Sequence, residues 1–271
     1  MAVSLLHCLN KIGVSQKPVI NDSHVMECIF CKKTDRPFTS LEHIFPESLG
    51  NVELVLKPGI VCDTCNNGIL SQLDKKLVEF DAINFLRTIH LPYNPKTGKF
   101  LSATFQNMKI EKTHPQKLVI NSRHKKHLKF WREGELAHVT GTFIGSKKFY
   151  PKSLARSLYK IALEIVALTE GAEKALDQRY DKARKFILDG ECFKNYLAMN
   201  SDIDTEDASI SYYYQPLQRG SAFELTIFGL IFLFNLEEEP LLLGDEISNL
   251  GFKVYPLVTI QHPQCQTGMG T

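Results

Sequence analysis

Four cysteines near the start of the chain form two Cys-x-x-Cys pairs, Cys28/Cys31 and Cys62/Cys65, with 30 residues between the pairs. Each pair can supply two thiolates from one tight turn, and four thiolates complete a tetrahedral zinc site. A redox Cys-x-x-Cys would instead be a single pair near a βαβ unit, which nothing in this sequence indicates. The spacing therefore predicts a closed structural Zn²⁺ site that stabilises the fold and takes no part in catalysis.

The segment between the two pairs is longer than the roughly 15–20 residues of a simple zinc module. It contains Glu42-His43-Ile44-Phe45-Pro46 and then Leu49-Gly50, and Asn66 directly follows the last cysteine. In this order and spacing, the motifs resemble the HNH endonucleases, a family with a ββα-metal fold and a four-cysteine zinc. The resemblance covers about residues 27–80, a fifth of the chain, and implies metal-dependent hydrolysis of DNA.

Phosphodiester hydrolysis needs a base that activates water and a cation that neutralises the charge growing on the phosphate. A histidine titrates near neutral pH and suits the first task, whereas carboxylate and amide oxygens suit a hard cation. The resemblance implies that His43 is the general base and that Glu42 and Asn66 hold a catalytic Mg²⁺ or Mn²⁺. The family's middle asparagine, which orients the base, has no clear match. Asn51 is the nearest candidate, and a plain turn role after Gly50 is the alternative.

The local structure around these residues is also predictable. In a regular strand Glu42 and His43 would point to opposite faces, so both can serve one phosphate only if the strand twists or ends there. Pro46 is consistent with an early end. Apolar residues at helical spacing after the second pair predict a helix that begins at or just after Cys65, with Asn66 or Asn67 as its cap. We expect substitutions of Glu42, His43 or Asn66 to spare the fold.

Length and composition describe an ordinary globular protein of 271 residues, with 44% hydrophobic and 23% charged residues. The longest apolar stretch, 225–236, is shorter than the ~18–20 residues that cross a bilayer. The first residues lack the basic segment and cleavage site of a secretory signal. These features predict a cytoplasmic protein without a membrane partner.

The chain is expected to be an α+β protein. Residues 1–23 form an N-terminal extension, 24–88 the zinc-stabilised ββα-metal module, and 89–98 a linker rich in proline and glycine. Residues 99–271 form a larger α+β domain that grips or selects substrate. In this domain alternating segments predict strands, and two apolar stripes predict a helical pair over 153–189, with stops at Gly171 and Gly190.

Charge is distributed unevenly along the chain although the net charge is only +2. Residues 107–160 contain 13 Lys/Arg against three acids, a net of +10, whereas residues 24–80 contain six Lys/Arg against eight acids, a net of −2. The zinc module is therefore a poor phosphate-binding surface, and region 107–160 is the expected DNA-binding surface. The alternative is that these cations only form a solvated face.

Two other functions remain open at this point. A zinc module without catalysis could bind nucleic acid or a partner protein, but it would have no use for Glu42, His43 and Asn66 together. The nuclease could also act on RNA, because attack by water needs no 2′-hydroxyl group.

Overall fold

The computed structural model describes residues 26–122, 128–133, 136–141, 144–145, 149–200, 202–217, 220–238 and 248–257. The expected N-terminal extension, 1–23, lies outside these ranges. Helices and antiparallel strands occur in separate runs along the described chain, so the expected α+β class is confirmed.

The zinc module has the expected order of two strands and a helical segment. Strands β1 (Glu42–His43) and β2 (Val55–Leu56) pair antiparallel. Helix α1 (Asp63–Cys65) continues through a π turn (Asn66–Leu70) into α2 (Ser71–Val78). The helical segment begins at Asp63, two residues before Cys65, whereas the sequence predicted a start at or just after Cys65. Asn66 has helical dihedral angles, φ −55° and ψ −58°, so the prediction that it caps the helix is wrong.

The start of the helical segment is held by an aspartate and not by an asparagine. The carboxylate of Asp63 accepts hydrogen bonds from the backbone N–H groups of Thr39 (2.9 Å) and Ser40 (3.0 Å) and from the Thr39 hydroxyl (2.7 Å). These bonds join the first helical turn to the chain that leads into β1. The side chain of Asn66 is thereby left for another contact.

Helix α3 (Asp81–His90) follows, and the chain then turns through the predicted linker around Asn94. Beyond it β3 (Ser102–Thr104), β4 (Met108–His114) and β5 (Lys117–Ser122) form a three-stranded antiparallel sheet. Strands β6 (Leu128–Glu133) and β7 (Leu136–Gly141) form a separate hairpin. A small core of four buried residues underlies the three-stranded sheet: Ala103, Phe105, Met108 and Ile110.

The predicted helical pair is one long helix followed by a broken one. Helix α4 (Pro151–Glu170) ends at Gly171, whose φ of 97° is the left-handed region that favours glycine. The second helix divides into α5 (Ala172–Ala175), a 3₁₀ turn (Gln178–Tyr180) and α6 (Asp181–Asp189). The Asp177 carboxylate accepts a hydrogen bond from the Arg179 N–H at 3.0 Å, and this local cap starts a new turn where the apolar stripe predicted continuity.

The remaining strands are β8 (Tyr196–Asn200), β9 (Ile210–Leu217), β10 (Gly220–Ile227), β11 (Leu230–Phe234) and β12 (Phe252–Pro256). They form a five-stranded antiparallel sheet in the order β12-β8-β11-β10-β9. The turn between β10 and β11 requires Gly229. Its φ is 77°, and a Cβ there would lie 2.0 Å from the backbone oxygen of Asp204.

One large hydrophobic core joins the zinc module to α4, α6 and the five-stranded sheet. Buried residues of the module, such as Ile29 and Leu73, belong to the same cluster as Tyr159 and Phe234. The division at the linker into two domains stays a prediction, and the core itself crosses that boundary. Within the described ranges, none of the helices has the length and apolar character to cross a bilayer.

Candidate active site

The four cysteines of the two pairs come together in the structure. Their sulfur atoms all lie within 4.8 Å of one another, and Cys31 Sγ is 3.7 Å from Cys62 Sγ. Cys28, Cys62 and Cys65 are buried, and Cys31 is half-buried. A backbone hydrogen bond from Ile29 N–H to Ile60 O (3.1 Å) joins the turns that carry the two pairs.

The protonation of these thiols shows why a cation suits the cluster. A hydrogen bond from the Cys65 side chain lowers the pKa of Cys28 to about 5. Burial raises the pKa of Cys31 to about 11. The hydrogen bond to Cys28, together with burial and the neighbouring thiolates, raises the pKa of Cys65 well above its ordinary value. Four thiolates are therefore stable together only around a positive ion, and a closed set of four sulfur donors fits Zn²⁺.

Glu42 and His43 form the whole of β1, so the strand ends where the two candidates stand. Glu42 is buried and His43 is half-buried. The Nδ1 atom of His43 is buried and has no hydrogen-bond partner among the described residues. A ring nitrogen without a protein partner keeps a lone pair that can accept a proton, as a general base must.

Asn66 lies beside this strand. Its Nδ2 donates a hydrogen bond to the backbone oxygen of Leu41 at 3.0 Å, directly before Glu42. The other end of the amide, Asn66 Oδ1, accepts no hydrogen bond from the part of the chain that the structure describes. The structure thus brings Asn66 next to the Glu42–His43 pair, with an oxygen left for a ligand.

Asn51 closes the loop between the two strands. Its Nδ2 donates to Phe45 O (2.8 Å) and Leu54 O (3.0 Å), and its Oδ1 accepts from Leu54 N–H (3.0 Å). The same loop is joined by the Ile44 N–H to Leu54 O bond at 3.0 Å. These contacts fit the turn role expected after Gly50.

The carboxylate of Glu42 has a partner that the sequence did not indicate. Lys160, on α4, places Nζ 2.6 Å from Glu42 Oε1 and 3.0 Å from the backbone oxygen of His43. Asp74 Oδ1 and Glu164 Oε2 lie 3.1 and 3.2 Å from the same nitrogen. We call Lys160, Glu42, Asp74 and Glu164 the Lys160 cluster. Because Glu42 is part of it, replacing Glu42 would break a buried ion pair, so we now expect this change, unlike those at His43 and Asn66, to cost stability.

The charges of the Lys160 cluster influence one another strongly. Burial would lower the pKa of the Lys160 ammonium, but Asp74, Glu164 and Glu42 together raise it well above its ordinary value. Burial raises the pKa of Glu42, and the charge of Lys160 opposes that rise. The three carboxyl groups therefore favour the charged form of Lys160 inside the protein. The sequence offered one signal for it: Lys160 and Glu164 are an i, i+4 pair.

A second cation, Arg184, binds the turn that carries Cys28 and Cys31. Arg184, on α6, donates from Nε to the backbone oxygen of Ile29 at 2.6 Å and from its terminal nitrogens to the oxygens of Ala175 and Asp177. Oδ1 of the Asp181 carboxylate forms ion pairs with both Arg184 and Lys32, each at 2.6 Å. The helices after the linker therefore contact both the cysteine turns and the Glu42–His43 strand.

The basic region 107–160 is less available to a ligand than its sequence suggests. Lys112 donates to the backbone oxygen of Ile89 (2.5 Å), Arg156 donates to the oxygens of Ile187 and Leu188 (both 2.7 Å), and Lys160 is fully buried. These three cations serve the fold, so the net of +10 overstates the charge that faces solvent. Lys129 is exposed.

Comparison with known proteins gives one match. Residues 28–80 match the family model described as HNH endonuclease. This range contains the four cysteines, Glu42, His43 and Asn66, so the resemblance seen in the motifs is confirmed. Neither the curated proteins nor the solved structures yield a match to the chain.

Proposed function

We propose that this protein is a metal-dependent endonuclease that hydrolyses DNA phosphodiester bonds, with His43 as the general base. The observation that carries the proposal is the convergence of His43 and Asn66 at the end of a two-residue strand, within a segment that matches the HNH endonuclease model. The unpartnered Nδ1 of His43 supports its role as base. The imidazole takes a proton from a water molecule as the water attacks phosphorus, the bond from phosphorus to the leaving sugar oxygen breaks, and that oxygen takes a proton from solvent.

The oxygen donors near His43 fit a hard divalent cation. Asn66 Oδ1 and the carboxylate of Glu42 would hold Mg²⁺ or Mn²⁺, as the resemblance implies, while Lys160 stays 2.6 Å from Glu42 Oε1. When bound, such a cation supplies positive charge to the phosphate and to the leaving oxygen. Lys160 keeps Glu42 ordered, and Asn66 is held by its bond to Leu41 O.

The DNA contact is assigned to the basic region 107–160, without its three internal cations. Exposed Lys129 belongs to that surface, and Lys125 and Lys126 lie outside the described residues. The acidic balance of residues 24–80 favours a phosphate contact supplied from outside the zinc module. In this proposal zinc stays structural, because its four ligand positions are filled by thiolates.

A cleavage assay tests the proposed function. Supercoiled plasmid, linear duplex, single-stranded DNA and RNA are incubated with the full chain and Mg²⁺ or Mn²⁺, with and without chelator. We expect metal-dependent nicking or cutting of DNA. Preferential cleavage of RNA would replace DNA as the substrate, and binding without cleavage of any substrate would favour a non-catalytic zinc module.

A further inference from the structure

We propose that Lys160 is a positioning residue of the active site, which fixes the Glu42–His43 dipeptide from outside the matched HNH segment. The inference rests on the proposed function, since it concerns the same base. It assigns a task in the reaction to α4, a helix whose apolar stripe predicts only core packing.

The contacts of the Lys160 ammonium carry this inference. An ammonium has three N–H donors and no acceptor. One contact is to the backbone oxygen of His43 and another is to the carboxylate of Glu42, so one side chain holds both residues of β1. Lys160 is fully buried, which means that water does not compete for these contacts.

The strand itself is too short to fix the base. β1 contains only two residues, and its antiparallel pairing with β2 is limited to Glu42↔Leu56 and His43↔Val55. A hydrogen bond to the carbonyl of His43 restrains the following peptide plane, and with it the backbone from which the imidazole extends. Lys160 therefore supplies an orientation that the short ladder does not.

Helix α4 is a rigid support for this contact. Its Tyr159 ring stacks on Phe234 with the ring centroids 4.8 Å apart. Its Ser157 hydroxyl donates to the backbone oxygen of Leu73 in α2 at 2.8 Å. Because these neighbours of Lys160 fix α4 in the core, loss of the ammonium would release β1 without moving the helix.

The test compares two full-length variants that differ only at Lys160. Asp74→Asn/Glu164→Gln neutralises two acids of the cluster and keeps the ammonium, and Lys160→Met/Asp74→Asn/Glu164→Gln also removes it. Asparagine and glutamine carry no charge, so neither position is left with an unpaired buried carboxylate when the ammonium is removed, and Glu42 keeps its carboxyl group in both variants. We expect kcat for plasmid nicking to fall about 10- to 100-fold in the triple variant relative to the double, because a small misplacement of a catalytic group is costly. The KM for plasmid and the zinc content per chain should each differ by less than about threefold between the triple and the double variant.

A second readout does not depend on activity. In chains labelled with isotope at histidine, the ring signals of His43, identified by their loss in His43→Ala, should shift or broaden in the triple variant. The signals of His90, which stacks on Phe228, should not change. Arg156→Met is the control for general loosening of α4, since Arg156 bonds to Ile187 and Leu188 and not to β1. It should leave kcat and the His43 signals unchanged.

The outcomes separate the two proposals. If the wild-type chain cleaves nothing, the proposed nuclease function fails, and the His43 signals still decide whether Lys160 positions this residue. Equal kcat in the double and triple variants of an active enzyme, or unchanged His43 signals in the triple variant, would overturn the assignment of Lys160.

Discussion

The ammonium of Lys160 lies 3.0 Å from the backbone oxygen of His43, although 117 positions of sequence separate the two residues. The candidate base thus sits in a segment that matches the HNH endonuclease model and is held by a helix outside that segment. The two parts of the chain also share one hydrophobic core. The environment of the base is therefore a property of the whole chain, and the experiments below use the full chain.

Removing one zinc ligand should release the metal and destabilise the module. In Cys62→Ser a hydroxyl replaces one of four thiolates, and the binding free energy of structural zinc is also folding free energy. We expect about one zinc per wild-type chain by elemental analysis and much less in the variant, with a lower melting temperature. Thr64→Ala, an exposed change between the same two cysteines, is the control. A variant that loses zinc yet melts like the wild type would contradict a structural role.

The base and the proposed metal ligand should respond differently to added cation. His43→Ala removes the proton acceptor, and loss of general-base assistance costs about 10²–10⁴-fold in rate. Asn66→Ala should also lose activity, but raised Mg²⁺ or Mn²⁺ should recover part of it, because this change weakens metal binding. Cleavage rates across a metal titration measure both effects.

Zinc content and DNA affinity provide the controls for His43→Ala and Asn66→Ala. Both should stay near wild type in His43→Ala, since this side chain has no protein partner at Nδ1. Wild-type cleavage by His43→Ala, or inactivity that follows only from unfolding, would show that His43 is not the base.

The basic region should contribute to DNA affinity through phosphate contacts. Lys125→Ala/Lys126→Ala/Lys129→Ala should weaken binding, and each lost contact should reduce the slope of log affinity against log salt by about 0.9 on duplex DNA. Binding titrations at several salt concentrations measure this slope. Lys75→Ala, at an exposed position of α2, is the control for the loss of a single lysine charge outside the region. Identical slopes for the triple variant and wild type would mean that these lysines are only solvated.

Glu164 should make the protein less stable as the pH rises. Burial raises the pKa of its carboxyl well above the ordinary value, Lys160 opposes this rise, and Glu42 and Asp74 add to it. The folded chain therefore keeps this proton at pH values where the unfolded chain has released it. Since the folded state then binds more protons, this group's contribution to the unfolding free energy falls as pH increases above about 4.5.

Glu164→Gln removes that contribution while keeping the side-chain volume. In urea denaturation at pH 5, 6, 7 and 8, the variant should gain stability relative to wild type over the pH range in which the folded chain keeps the Glu164 proton. Glu191→Gln, at an exposed position after α6, should run parallel to wild type. A constant difference between Glu164→Gln and wild type over this range would show that Glu164 is ionised in the fold.

The sequence by itself determined the parts of the site that depend on short spacing. Two residues between cysteines suffice to form a turn with two sulfur ligands, so the zinc cluster was predictable from Cys28/Cys31 and Cys62/Cys65. The helix after the second pair was predictable from its apolar spacing, although it begins at Asp63 and not at or after Cys65, and Pro46 was consistent with the strand end at His43. The contacts at the start of the helix were not predictable. Asp63 accepts hydrogen bonds from Thr39 and Ser40, which lie 24 and 23 positions earlier, and Asn66 donates its hydrogen bond to Leu41.

Only the tertiary structure decided which charges are internal. Lys160 and Arg156 count toward a basic region in the sequence, yet one is surrounded by Glu42, Asp74 and Glu164 and the other donates to carbonyls at the end of α6. Local periodicity specifies the face of a helix on which a lysine lies. It does not specify which carboxylates from distant elements meet that face, and their approach determines whether a buried ammonium stays charged and what it holds in place.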